Sequence, residues 1–246
     1  MKNRLVGKPL YLRGFWREDS LHFDSYGQLI GKSGLLSFTL CGAEVDKVRL
    51  ERDGLILEGK RVGVEFKGKV AKRVVLQVGD RPPFSDEMMH IKIDPPADGD
   101  FSRAVDTIFA DDLPDLAPVL PQYWQRFARE NLSSNSPASA TPVSSSSGTQ
   151  PLRKIGGGIK PPTIAKSKEP QFSQAARNLR YSGKVLVNLW VGEDGKPSHL
   201  AVIRPAGLGL DEQALYAVQQ YVFNPAKEND KPVLVELNIE VAFDVY

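Results

Sequence analysis

The chain has 246 residues, a length that favours two domains over one. Its hydrophobic content of 41% and charged content of 25% are ordinary for a soluble globular protein. The net charge of +2 argues against a nucleic-acid-binding protein, because such proteins usually carry a basic patch or a high pI. A single cysteine excludes an intramolecular disulfide framework, and three scattered histidines make a metal centre an unsupported interpretation.

The sequence contains no stretch near the roughly 18 consecutive apolar residues that a membrane-spanning helix needs. Its basic start resembles the first part of a signal peptide, but Leu5 and Val6 are followed at once by Gly7 and Lys8. The apolar core of a signal peptide is therefore missing. The sequence as given predicts neither an anchor nor export, and it leaves open whether a leader or a membrane helix belongs to a longer precursor.

A low-complexity segment divides the chain. Residues 132–151 carry no charge and no aromatic side chain, and serine, proline, alanine and threonine dominate them. Such a segment buries too little surface to offset its conformational entropy, so it predicts a flexible linker. We expect it to let two folded domains, 1–131 and 152–246, separate by about 25 Å.

The first half is predicted to be rich in short strands. Alternating apolar and charged residues flank Asp53 and Gly54, a pair that favours a tight hairpin turn. Six or seven strands of this kind predict a small barrel or sandwich. After Pro95 and Pro96 the apolar period becomes helical, which predicts helices near 101–109 and at 121–131.

The second half is predicted to alternate helices and strands. The expected elements are a helix at 173–179, strands at 184–191 and 199–203, a helix capped by Asp211, and a long strand at 233–243. Two helices on one face of a three-stranded antiparallel sheet make a two-layer α+β domain. The whole chain is thus assigned to the α+β class.

The terminal strand carries a functional prediction of its own. It is long and regular, with no proline after Pro232 and no glycine to suggest a bulge. An exposed edge of this kind pairs readily with an incoming extended peptide. The alternating pattern fits equally well a strand that is central or covered.

The segment from about 155 to 246 resembles the C-terminal domain of TonB, the periplasmic energy transducer of Gram-negative bacteria. The motifs that carry the resemblance, in chain order, are Glu169-Pro170-Gln171-Phe172-Ser173 before the first helix, Ser182-Gly183-Lys184-Val185 at the first strand, Asp194-Gly195-Lys196-Pro197 at the hairpin turn, Gly209-Leu210-Asp211 at the second helix, and Tyr221-Val222-Phe223-Asn224-Pro225-Ala226 before the last strand.

The resemblance implies a periplasmic protein that binds the TonB box, a short extended segment of TonB-dependent outer-membrane receptors, by strand addition. The residues that it places at the partner are those of the terminal strand and of the segment before the first helix: Glu236, Leu237, Asn238, Ile239, Glu240, Val241, Ala242, Phe243, Pro170, Gln171 and Phe172. The sequence departs from the family pattern at Phe172, Ser173 and Tyr221, where tyrosine, proline and tryptophan are usual. A homodimer through edge strands is a further expectation. Contact with the inner-membrane motor proteins needs the family's membrane helix, which this sequence lacks.

The residues indicate no catalytic, cofactor or metal site. The run Gly156-Gly157-Gly158 precedes Ile159 and Lys160, but Pro161 and Pro162 follow, so no helix is available to complete a phosphate-binding loop. Cys41 lies in an apolar run and is interpreted as a small buried hydrophobe. Two functions are left open: a TonB-like peptide-binding module, and a ligand-binding, sensory or adaptor protein whose first domain carries the specificity while the TonB-like domain docks to a partner.

Overall fold

The computed structural model describes residues 2–68, 70–79, 81–132 and 151–245. Nearly all of the predicted linker lies outside the described residues. The described helices are α1 (Lys2–Leu5), α2 (Ser102–Ile108), α3 (Gln125–Asn131), α4 (Gln174–Asn178) and α5 (Leu210–Val218), with 3-10 segments η1 (Phe38–Leu40), η2 (Leu113–Val119) and η3 (Gln122–Trp124).

The described strands are β1 (Pro9–Leu12), β2 (Ser20–Phe23), β3 (Gly42–Glu51), β4 (Gly54–Lys67), β5 (Val70–Val75), β6 (Gln77–Val78), β7 (Ser85–Asp86), β8 (Met88–Ile93), β9 (Phe109–Ala110), β10 (Arg153–Lys154), β11 (Ile159–Lys160), β12 (Thr163–Lys166), β13 (Gly183–Val191), β14 (Pro197–Arg204), β15 (Val222–Asn224), β16 (Ala226–Glu228), β17 (Lys231–Val233) and β18 (Val235–Phe243). The α+β class is confirmed.

The first half is built around one seven-stranded sheet that curls strongly into a half-barrel. Its order is β2-β8-β4-β3-β1-β9, and β5 pairs with the later part of β4. The long strand β4 therefore joins both parts of the sheet. The predicted helices after residue 95 are present as α2, η3 and α3.

The β3–β4 hairpin turns one residue earlier than the sequence pattern predicts. Gly54 pairs with Glu51, so Arg52 and Asp53 form the loop. A Cβ atom on Gly54 would lie 2.2 Å from the carbonyl oxygen of Ile93 in β8. Glycine is needed here because the neighbouring backbone approaches closely, and its φ of +142° is tolerated for the same lack of a side chain.

Aromatic rings fill the core of the first half. Trp124 is fully buried, and its ring centroid lies 5.0 Å from that of Phe38 and 5.6 Å from that of Phe127 in edge-to-face contacts. Phe127 also contacts Phe66 of β4 at 5.5 Å. The helical stripe predicted at 121–131 thus faces the sheet, as its apolar pattern indicates.

The second half contains a four-stranded sheet in the order β10-β18-β13-β14. Strands β13, β14 and β18 pair antiparallel as predicted, and the short strand β10 adds to β18 in parallel. Helix α5 packs against β13 and β14. Two small sheets, β11-β16-β17 and β12-β15, complete this part of the chain.

The prediction that Asp211 caps helix α5 is wrong. The N-cap position is held by Gly209, whose φ is +75°, and Asp211 lies within the helix. The carboxyl group of Asp211 instead accepts hydrogen bonds from Ala206 N at 2.8 Å and Gly207 N at 3.0 Å. It therefore fixes the loop before the helix rather than the helix amides.

The two halves pair through their backbones. Phe66 N donates to Ala206 O at 2.8 Å, and Leu208 N donates to Val64 O at 2.9 Å. Residues 206–208 thus extend the free side of β4 as a short antiparallel bridge. The expectation that the halves separate by about 25 Å is wrong for the described residues, whose buried side chains form one continuous core.

Side chains reinforce this backbone bridge. Three of the side-chain hydrogen bonds between the halves join Gly209 N to Thr39 Oγ1 (2.8 Å), Asn178 Nδ2 to Gln77 O (2.6 Å), and Trp124 Nε1 to Glu212 Oε1 (3.0 Å). These hydrogen bonds form only when the halves are docked, so each favours the docked arrangement by a net of about 0.5–1.5 kcal/mol.

None of the described helices has the length and apolar character that crossing a membrane requires.

Candidate functional site

The terminal strand β18 is paired along its whole length on one side. Its register with β13 runs without a break from Gly183 opposite Phe243 to Val191 opposite Val235. Val235, Val241 and Phe243 are buried, as the period-2 pattern predicts. The strand is therefore held firmly by its neighbour.

The other edge of β18 is mostly open. Strand β10 pairs in parallel only at Val235 and Glu236, and Arg153 N donates to Leu234 O at 2.9 Å just before them. Within the described parts of the chain, no strand or isolated bridge pairs with the outer edge from Leu237 to Phe243. Seven of the eight residues predicted on this strand thus lie on an open edge, and Glu236 lies against β10.

The polar side chains of β18 have partners on neighbouring elements. Their contacts are Glu236 Oε1 with Arg126 Nη1 (3.1 Å), Asn238 Oδ1 with Asn188 Nδ2 (2.7 Å), and Glu240 with Lys184 Nζ (2.8 Å) and Arg204 Nη2 (3.2 Å). The hydrogen bond from Lys184 holds the pKa of Glu240 below its usual value. These side chains fix the face of the strand, while its outer backbone stays unpaired.

The segment before α4 reaches the far end of this edge. The ring of Phe172 packs edge-to-face on Phe243, with centroids 5.4 Å apart. Pro170 and Phe172 are partly buried and Gln171 is exposed. The structure therefore brings two parts of the predicted site together at Phe243, although they lie far apart in the sequence.

Cys41 is confirmed as a buried hydrophobe. It is fully buried, and its Sγ donates to Phe38 O at 3.0 Å. Burial raises the pKa of its thiol to about 12, so the reactive thiolate is not formed near neutral pH. Among the described residues no group of three or more histidine, cysteine or acidic side chains is placed to hold a metal ion.

Two acidic residues at the interface between the halves were not predicted as functional. Asp211 is fully buried, and desolvation raises its pKa to about 8, with a further increase from the charge of Glu212. Burial also raises the pKa of Glu212, although the nearby Ser37 hydroxyl and the hydrogen bond from Trp124 lower it in part. The sequence offers only the acidic pair after Gly209 and Leu210, which looks like an ordinary helix start.

The stability of the chain should fall as the pH rises from about 5 to 8. In this window Asp211 keeps a proton that the unfolded chain, with an ordinary aspartate pKa, has already released. A folded state that binds the extra proton is favoured by acid, with a slope of up to about 1.4 kcal/mol per pH unit for one proton. Urea unfolding at pH 5, 6, 7 and 8 measures the slope.

The matched control for this prediction is Asp211→Asn. It removes the titrating group, so its unfolding free energy should vary less with pH than that of the unmodified chain. Equal slopes for both chains would contradict the assignment of the pH dependence to Asp211.

The comparisons with known proteins concern the second half of the chain. Residues 168–245 match the family model for the Gram-negative bacterial TonB protein C-terminal. The resemblance predicted from the motifs is confirmed for these residues, which we call the TonB-like segment. It contains α4, α5, β13, β14 and β18 together with Pro170, Gln171 and Phe172.

A curated relative agrees with this match. Over 85 residues the chain is 26% identical to Protein TonB of Vibrio cholerae serotype O1 (strain ATCC 39315 / El Tor Inaba N16961). The matched stretch covers 34% of this chain and 35% of that protein. The chain spans about a third of the length of the curated relative that it matches. The family match does not extend into residues 2–132, so the half-barrel is not accounted for by it.

Proposed function

We propose that this chain acts in TonB-like energy transduction, as a periplasmic module that binds an extended segment of an outer-membrane receptor and catalyses no reaction. The observation that carries the proposal is the outer edge of β18, which is unpaired from Leu237 to Phe243 among the described residues. The family match of the TonB-like segment supports it.

Strand addition uses groups that the edge already presents. Backbone N–H and C=O groups on the free side of β18 point away from β13 and pair with any extended chain. Leu237 and Ile239 are partly buried beside the edge, and Phe172 covers Phe243 at its end. An incoming strand with apolar residues at alternate positions therefore finds apolar neighbours on one face.

The finer arrangement of this half also fits the TonB family. Helix α5 packs on β13 and β14, and α4 precedes β13 in the order that the family resemblance implies. We therefore interpret the TonB-like segment as a two-layer domain whose sheet β10 extends. Coupling to inner-membrane motor proteins would require a membrane helix outside the given sequence, and a homodimer through β18 would compete with the receptor for one edge.

Proline substitution tests the docking edge. Successive residues of a strand direct their N–H groups to opposite sides. Of the two variants Asn238→Pro and Ile239→Pro, one therefore removes an N–H donor from the free edge of β18, and the other removes an N–H donor that pairs with β13. We expect the first kind of variant to stay folded and to bind a synthetic TonB-box peptide at least tenfold more weakly in calorimetric titration. Far-UV circular dichroism identifies the folded variant.

Hydrogen exchange on the unmodified chain provides the control. Outward amides between Leu237 and Phe243 should exchange fast in the free chain and slow when the peptide is bound, while amides paired with β13 stay protected throughout. Saturating peptide without new protection at this edge would show that β18 does not receive the partner.

The second candidate, a ligand-binding or sensory protein, is favoured by a different observation. The half-barrel packs on the TonB-like segment through a shared core and encloses a cavity at the junction. This candidate predicts that a small molecule binds between the halves.

A further inference from the structure

A cavity of about 430 Å³ lies between the two halves of the chain. The first half contributes Ser37 and Leu40 near η1 and residues from β4 and β6, and the second half contributes the starts of α4 and α5. Its volume falls in the range of roughly 300–1,000 Å³ that is typical of small-molecule sites. The cavity exists only because the halves are docked.

One buried acceptor in its wall has no hydrogen-bond partner. Glu212 Oε1 accepts from Trp124 Nε1, whereas Oε2 is buried and makes no hydrogen bond to any described residue. The hydroxyl of Ser37, which lies close enough to favour the charged carboxylate, is hydrogen-bonded to Thr39 Oγ1 at 2.9 Å. A buried carboxylate oxygen without a donor is costly, so a ligand that donates to it would gain stability.

The other charged groups of the wall are already engaged. Arg61 is buried, donates to Trp16 O, Arg17 O and Glu18 O, and pairs with Glu87 at 2.7 Å. Arg17 donates to Leu35 O at 3.0 Å. The buried carboxylate oxygen that lacks a donor in this wall is therefore Glu212 Oε2.

The rest of the wall combines apolar and aromatic side chains with the neutral polar side chains of Gln77, Ser173, Gln174 and Gln213. Leu35, Leu36, Leu76 and Val78 line the cavity, and Tyr123 lies where it meets a second cleft of about 330 Å³ that Glu212 also lines. An aromatic ring beside a carboxylate favours a cation, because the face of the ring is negative. The wall thus combines an acceptor for a cation, Glu212 Oε2, with a patch of leucine and valine side chains.

We propose that this cavity binds a small primary amine with an apolar body, whose ammonium group donates to Glu212 Oε2 while the body packs against the leucine and valine side chains. The site is separate from the β18 edge and does not depend on peptide binding there. It would link ligand binding to docking of the halves, because both supply its walls.

Three small probes of the same size test the proposal on the full chain. Benzylamine, benzyl alcohol and benzoate are titrated separately and followed by amide chemical shifts. We expect saturable shifts from benzylamine at residues of the cavity wall, and binding of benzyl alcohol at least about tenfold weaker because a neutral donor forms a weaker hydrogen bond. Benzoate should not bind.

Glu212→Gln completes the test. The amide keeps an acceptor for Trp124 Nε1 and removes the negative charge, so benzylamine binding should weaken at least tenfold. Glu193→Gln, which changes an exposed carboxylate in the β13–β14 turn, should leave it unchanged. Equal binding of benzylamine and benzyl alcohol, undiminished binding by the Glu212→Gln variant, or no saturation by benzylamine would each overturn the proposal, and the comparison of probes stands even if the variant is unstable.

Discussion

Replacing Trp124 by alanine should lower the free energy of unfolding by roughly 3–5 kcal/mol, the range for truncating a large buried aromatic side chain. Trp124 is fully buried and packs against Phe38 and Phe127. Its loss also removes the indole donor from Glu212, which adds the cost of an unpaired buried oxygen. Urea unfolding followed by far-UV circular dichroism measures the change.

Two variants separate the contributions. Trp124→Phe keeps much of the ring packing but removes the N–H donor and part of the indole volume, so we expect a loss of roughly 1–3 kcal/mol. Trp190→Ala truncates a partly buried tryptophan that stacks on His199 and should cost about 1–2 kcal/mol. A Trp124→Ala chain no less stable than Trp190→Ala would contradict the central position of Trp124.

Gly207→Ala should destabilise the chain by roughly 2–4 kcal/mol and loosen the contact between the halves. Gly207 has a φ of +95°, and a Cβ atom there would lie 2.1 Å from Val64 O and 2.8 Å from Glu65 Cα. Both neighbours are backbone atoms of β4 and cannot rotate away. Hydrogen exchange should show lost protection at Phe66 N and Leu208 N, the two donors of the bridge.

The control for this change is Gly99→Ala. Gly99 also has a positive φ, +73°, but a Cβ atom there meets nothing within 4 Å. Its substitution should cost only the backbone strain, about 1–2 kcal/mol, and leave the amides of the bridge protected. Similar losses in both variants would show that the contact with β4 does not limit the docking of the halves.

Local patterns in the sequence were sufficient for the elements of the second half. The alternation that ends at Phe243 predicts β18 because each side chain of a strand meets either the core or solvent, and the register with β13 preserves that period. The TonB-like motifs added the chain order. The open edge at Leu237–Phe243 was a weaker prediction, because a regular pattern looks the same on central and border strands.

The contacts between the halves could not be predicted from the sequence, for a physical reason. Gly207 reads as an ordinary loop glycine, and only the approach of β4 makes it irreplaceable by a larger residue. Asp211 matches the pattern of a helix cap, but its carboxyl group accepts hydrogen bonds from the amides of Ala206 and Gly207 in the preceding loop. Burial of this kind depends on the surface of the other half of the chain, so the periodicity of apolar residues within one segment cannot predict it.

Strand β10 limits the length of a peptide that can pair with the outer edge of β18. By occupying the first two positions, it leaves seven residues, a stretch of about 23 Å at roughly 3.3 Å per residue. Only every second residue of such a stretch faces outward, which limits the peptide to about six to eight main-chain hydrogen bonds. At a net gain of about 0.5–1.5 kcal/mol each, these are of the same order as the cost of association. The selectivity for a peptide bound along this edge must therefore come from side-chain contacts. Because the main-chain hydrogen bonds contribute little beyond the cost of association, such a peptide can also dissociate readily.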